Sequence, residues 1–82
     1  MHDVTTRLRR CFAAVFPDLA EDEIGRASAT SVGAWDSLAT VNLLSVIEEE
    51  FGVQVAPEDF ETFVSFELIR DYLQGKLTQN VA

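Results

Sequence analysis

The chain has 82 residues, of which 48% are hydrophobic, and 14 acidic residues against six basic ones give a net charge of −8. This length predicts one domain over residues 1–82, which we expect to be a monomer. The acidic balance argues against nucleic acids and anionic membranes as partners. The sequence lacks a membrane-spanning apolar run and a signal-peptide pattern, and its lone Cys11 excludes an internal disulfide or cysteine metal cluster. We therefore expect a cytoplasmic protein without membrane insertion.

The amino-terminal segment predicts a helix over residues 3–15. Its apolar residues recur at helical spacing: Val4, Leu8, Cys11, Phe12 and Val15. Pro17 ends this helix, and residues 17–35 form a long connection in which Ile24 is the expected core anchor. A connection of this length is uncommon in so small a domain and tends to be functional.

A second helix is predicted over residues 37–51. Asp36 is a suitable N-cap, because its carboxylate can accept hydrogen bonds from the free backbone N–H groups of the first turn. Gly52 supplies the stop at the other end. One face of this helix carries the expected core residues: Leu43, Leu44, Ile47 and Phe51.

The remaining elements are a short helix over residues 57–62 and a last helix over residues 66–76. Pro57 suits the first helical position of the short one, and Ser65 is a plausible N-cap for the last one. The last helix would bury four residues: Phe66, Ile69, Tyr72 and Leu73. No segment of the sequence predicts a convincing strand. The predicted fold is therefore all-α, a four-helix bundle of three longer helices and one short helix, with a long loop between helices 1 and 2.

The outer face of the second helix predicts a docking surface. At about 100° per residue, Leu38 lies roughly 165° and Val41 roughly 105° from the centre of the core face. Glu48 and Glu49 fall toward the same outer side. An exposed apolar spot within a charged rim is typical of protein–protein contacts, and the acids favour basic partners. For an acidic chain considered without its family, a solvated acidic face that only keeps the protein soluble is the favoured alternative.

Ser37 occupies the first turn of the same helix. Free N–H groups and the helix dipole favour an anion there, although the carboxylate of Asp36 would oppose a phosphate on Ser37. The only histidine, His2, lies near the terminus and offers no positioned base for nucleophilic catalysis. We therefore interpret Ser37 as an attachment point rather than a catalyst. The dipeptide by itself favours an ordinary helix start, because such caps are common.

A longer pattern decides between these interpretations. It comprises Asp36-Ser37-Leu38, Val41, Leu43-Leu44, the run from Ile47 to Gly52, and residues 57–60 and 65–73. Together these segments resemble the signature of acyl carrier proteins. The resemblance implies that Ser37 carries 4′-phosphopantetheine, transferred from coenzyme A by a separate Mg²⁺-dependent phosphopantetheinyl transferase that recognises Asp36. It further implies that the chain is not an enzyme, and that acyl-loading and acyl-processing enzymes with basic patches dock on it.

Some positions depart from the fatty-acid carriers of that family. Ala39 and Asn42 stand where acids are usual, and Trp35 gives a Trp-Asp-Ser-Leu form that resembles specialised, stand-alone carriers. Trp35 could pack at the mouth of the loop, shield the arm or fill a surface groove. We expect an acyl carrier of a specialised fatty-acid or polyketide-type pathway.

Three alternatives stay open to different degrees. The run from Asp36 to Val41 also resembles D-alanyl carrier proteins, so the cargo could be an amino acid on a D-alanyl or peptidyl carrier. A protein-interaction module with the same fold could remain unmodified. A calcium-binding helical protein is disfavoured, because no loop alternates Asp or Asn ligands around a central Gly and ends in Glu.

Overall fold

The computed structural model describes residues 4–79, and these contain helices but no strand. The elements are α1 (Val4–Val15), α2 (Glu21–Ile24), α3 (Ser37–Phe51), a 3₁₀ helix (Pro57–Thr62) and α4 (Phe66–Gln79). One isolated antiparallel bridge joins Ser28 to Ser65. The prediction of a small all-α bundle is confirmed.

The observed helix bounds differ from the predicted ones at two places. The long connection contains α2, which has only four residues and is too short to show a helical repeat in sequence. The last helix continues to Gln79 rather than ending at 76, passing through Gly75. The predicted start of the first helix at residue 3 lies outside the described residues. The bounds of α3 and of the 3₁₀ helix are as predicted.

The core forms where α1 packs against α3 and α4. All four residues of the predicted α3 face are buried, and so are Phe66, Ile69 and Leu73 of α4. Tyr72 is only half-buried, and its hydroxyl donates to Asp59 Oδ2 at 3.0 Å. The centre is aromatic: the Phe12 ring lies 5.1 Å from that of Phe66, measured between centroids. Edge-to-face packing of this kind adds to the stabilisation from burial alone.

The long connection is fastened to the bundle rather than loose on its surface. Ile24 is buried, as predicted. The Phe66 N–H donates to the Ala27 carbonyl at 2.9 Å, and the Ala29 N–H donates to the Val64 carbonyl at 2.8 Å. These bonds hold the middle of the connection against the start of α4, and they fix the path by which the chain approaches α3.

Candidate functional site at the amino end of α3

Ser37 is the first residue of α3, and its side chain is exposed. Its hydroxyl makes no hydrogen bond with any residue between 4 and 79. No histidine falls within that range, so no imidazole there could accept its proton. The serine hydroxyl is therefore accessible, and no side chain between residues 4 and 79 accepts its proton.

Asp36 caps α3 in the predicted manner. Its backbone is extended, and its Oδ1 accepts a hydrogen bond from the Ala39 N–H at 2.9 Å. The cap satisfies one of the amides that a helix start leaves without an intrahelical partner. Its part in recognition by a transferase stays a prediction.

Trp35 is a core residue, and this corrects the three surface positions considered from sequence. Its side chain is only 4% exposed. The indole Nε1–H donates to Thr40 Oγ1 at 3.0 Å, and the Thr40 hydroxyl donates to the Asp36 carbonyl oxygen at 3.0 Å. Trp35 cannot shield an arm on Ser37, because its ring faces the interior. Thr40 was not predicted to belong to the site, because nothing in the sequence indicates that a threonine within a helix makes a tertiary hydrogen bond.

The apolar spot beside Ser37 is present. Leu38 is 69% exposed and Val41 is 53% exposed, which confirms their predicted orientation away from the core. Further along the chain, three more large apolar side chains are exposed: Phe60, Val64 and Leu68. Helical periodicity did not predict these three, because they straddle the junction between the 3₁₀ helix and α4.

The acidic rim differs from expectation. Glu48 is only half-exposed, and its Oε2 accepts the Val55 N–H at 2.8 Å. On the helical wheel Glu48 lies roughly 85° from the centre of the core face, at its edge, which is why it can reach the backbone that follows α3. Glu50 pairs with Arg7, with 2.8 Å between Oε2 and Nε. Glu49 is exposed and makes no hydrogen bond or ion pair with residues 4–79.

The described part of the chain offers few other kinds of site. Among residues 4–79, no three His, Cys, Asp or Glu side chains are grouped so that they could hold a metal ion. Each helix in that range is too short or too polar to cross a membrane.

Comparison with known proteins finds one matching family and similar chains. A family described as "Phosphopantetheine attachment site" matches residues 6–73. An acyl carrier protein of Buchnera aphidicola subsp. Schizaphis graminum is 28% identical over 76 residues, which cover 93% of this chain and 96% of the relative. The protein named acyl carrier protein 2 of Pseudomonas aeruginosa is 37% identical over 76 residues, which cover 90% of this chain and 94% of the relative.

Proposed function

Because the chain belongs to the acyl carrier protein family, whose prosthetic group is 4′-phosphopantetheine, we propose that Ser37 is the residue that bears this group. The observation that carries the proposal is the exposed hydroxyl of Ser37, which has no hydrogen-bond partner among residues 4–79 and lies at the start of a fifteen-residue helix. The residues present fit the group. The helix start favours a phosphate, which outweighs the opposing charge of the Asp36 carboxylate, whose Oδ1 accepts the Ala39 amide.

The chemistry at Ser37 is a phosphoester exchange for which this chain supplies only the nucleophile. The Ser37 Oγ forms the new bond to the phosphorus of coenzyme A that bears the pantetheine, adenosine 3′,5′-bisphosphate leaves, and the serine proton passes to a base of the transferase. When bound, the group provides a terminal thiol that holds cargo as a thioester. The chain positions and presents the arm, and it is a carrier rather than an enzyme.

The apolar spot of Leu38 and Val41 is the proposed docking contact for the transferase and for acyl-loading enzymes. Glu49 is the acid best placed to attract their basic patches, because its carboxylate is exposed and makes no hydrogen bond or ion pair with residues 4–79. Glu48 can contribute to the field as well, although its carboxylate also holds Val55. Such contacts are expected to be brief and steered by charge.

The pathway is proposed to be a specialised fatty-acid or polyketide-type one. Ala39 and Asn42 leave the face beside Ser37 with fewer acids than fatty-acid carriers present. An amino acid as cargo is the alternative, supported by the resemblance of the run from Asp36 to Val41 to D-alanyl carriers. The proposal also places the protein in the cytoplasm, where coenzyme A is available.

The test is modification in vitro with a broad-specificity phosphopantetheinyl transferase and coenzyme A, followed by intact-mass measurement. Wild type should gain one phosphopantetheine, and Ser37→Ala should gain none. Ser45→Ala is the matched control, because Ser45 is an exposed serine of the same helix, and it should gain one group. A gain on Ser37→Ala would refute the site. No gain on wild type would favour an unmodified interaction module.

A further inference from the structure

We propose that Trp35 and Thr40 are positioning residues for the modification of Ser37. The inference rests on the proposed function, since it concerns how Ser37 is presented to a transferase. The geometry is a chain of hydrogen bonds that runs from the buried indole through the Thr40 hydroxyl to the Asp36 carbonyl, the carbonyl of the peptide bond that leads into Ser37.

The first link is a rigid anchor. The Trp35 ring packs edge-on against Phe12, with centroids 5.3 Å apart, and in a tilted arrangement against Phe16, with centroids 5.6 Å apart. Both phenylalanines are buried, one within α1 and the other immediately after it. The indole is thus fixed by the core, and the direction of its N–H is fixed with it.

The second link is Thr40, which connects the fixed indole to the backbone beside Ser37. The Thr40 hydroxyl accepts the indole proton and donates its own proton to the Asp36 carbonyl at 3.0 Å. The same carbonyl accepts the Thr40 N–H at 2.9 Å. Because a peptide unit is planar, holding the Asp36 carbonyl also holds the plane that contains the Ser37 nitrogen and Cα. The Ser37 hydroxyl is then left with rotation about the N–Cα bond, which the helix restrains, and rotation of its own side chain.

The backbone on the other side of this peptide is held as well. The Asp36 N–H donates to the Ala34 carbonyl at 3.1 Å, and the Trp35 N–H donates to the Val32 carbonyl at 3.0 Å. The turn that delivers the chain to Ser37 is therefore fixed by its own hydrogen bonds and by the core through Trp35. Precise placement of a nucleophile matters, because small displacements of a reacting group lower rates steeply.

The alternative role for the indole N–H is simple satisfaction of a buried donor. Two substitutions distinguish positioning of Ser37 from satisfaction of a buried donor, and both keep most of the side-chain volume in the core. Trp35→Phe keeps an aromatic ring in the cluster but removes the donor, and Thr40→Val keeps the branched shape but removes the hydroxyl. Thr40→Ser retains the hydroxyl and is the conservative rescue. Ile69→Val, at a fully buried position of α4, is the control for a general loss of core stability.

The experiment measures kcat and KM for the broad-specificity transferase with coenzyme A, together with urea melts, for these variants and wild type. Trp35→Phe and Thr40→Val should each lower kcat/KM by about tenfold, as expected for a misplaced nucleophile. The double variant should lose little more than either single one, because the two residues act in series. Thr40→Ser should recover most of the rate, and Ile69→Val should keep the wild-type rate.

Amide hydrogen exchange provides the structural readout. Trp35→Phe and Thr40→Val should both speed exchange at the Thr40 amide, while Ile69→Val should not do so beyond its effect on global stability. Wild-type rates in both Trp35→Phe and Thr40→Val would overturn the inference, as would losses that follow stability across all variants. Absence of modification in wild type would refute the proposed function itself, and the inference with it.

Discussion

Glu48 contributes to the stability of the fold as well as to the charge of the surface. Its carboxylate accepts the N–H of Val55, a buried residue in the segment after α3. Without that carboxylate the amide would be left without its partner in a largely buried place, and an unmet donor costs more than an average hydrogen bond is worth. The carboxylate of the neighbouring Glu49 accepts no hydrogen bond from residues 4–79. The two adjacent glutamates therefore differ in what they contribute to stability.

This difference predicts the outcome of a matched pair of substitutions. Glu48→Ala should lower the free energy of unfolding by about 1–2 kcal/mol, since it removes a charge-assisted bond to a backbone amide. Glu49→Ala should change it by less than about 0.5 kcal/mol, as is usual for a surface site. Urea melts of the two variants and wild type measure both values. Equal losses would show that the Glu48–Val55 bond contributes nothing measurable.

Cys11 is a second residue whose behaviour follows from its surroundings. The side chain is 2% exposed, and burial, aided by the charge of Glu50, raises the pKa of its thiol from 9.0 to about 11. The thiolate is the reactive form, so the native thiol should be inert at pH 8. Because the folded pKa lies above the unfolded one, this group's contribution to stability is present below pH 9 and is lost as pH rises toward 11.

Thiol titration with a disulfide reagent at pH 8 checks this prediction. Native apo-protein should show no reactive thiol, and the unfolded apo-protein should show one. After loading with phosphopantetheine the native protein should show one, belonging to the arm. Rapid reaction of the native apo-protein would mean that Cys11 is not shielded as the structure has it.

At the scale of elements, the glycine that follows α3 and the glycine within α4 should respond in opposite ways to replacement by alanine. Gly52 ends α3 with φ +66°, in the left-handed region, and its N–H donates to the Glu48 carbonyl. Gly75 lies within α4, does not have positive φ, and has open space where a Cβ would stand. An alanine is strained in the first backbone conformation and suits the second.

We therefore expect Gly52→Ala to lower the free energy of unfolding by about 1 kcal/mol and Gly75→Ala to raise it by about 0.5–1 kcal/mol. Thermal melts of the two single variants give the signs directly. A shift in the same direction for both would contradict the assigned helix end or the continuity of α4 through Gly75.

Some of the elements could be predicted from the sequence alone, and others could not. The bounds, cap and buried face of α3 follow from Asp36, a repeat of apolar residues and Gly52, which are all local signals. The helix α2 has no such repeat. Burial of Trp35 depends on where α1 places Phe12 and Phe16, and local patterns carry no information about packing between distant segments. The exposed orientation of Leu38 was predictable because it follows from the helical wheel alone.

At the scale of the whole molecule, the negative charge is concentrated in the carboxy-terminal half. Residues 36–82 hold nine acids against two basic residues. On α3, however, two of the three consecutive glutamates are engaged: Glu50 with Arg7, which also lies 4.5 Å over the Phe51 ring, and Glu48 with Val55. Glu49 is left as the acid of α3 most available to a partner.

Charge reversal at this position should slow recognition without harming the fold. We expect Glu49→Lys to lower the rate of loading by the transferase and by the cognate acyl-loading enzyme, mainly through slower association. The effect should shrink as salt rises, because exposed charges are screened. Loading rates against salt concentration, with Glu67→Lys on α4 as the matched control, measure this. A rate unaffected by the reversal would leave recognition to Leu38 and Val41.

The central claim is that Ser37 carries the arm, and its most direct test is mass spectrometry of the protein purified from its native host. Cleavage after Asp36 and Glu48 releases the peptide 37–48, which contains three hydroxyl residues: Ser37, Thr40 and Ser45. The account predicts fragment ions that place phosphopantetheine, with or without an acyl group, on Ser37. Phosphopantetheine on any other residue, or a chain that is never modified in the host, would contradict it.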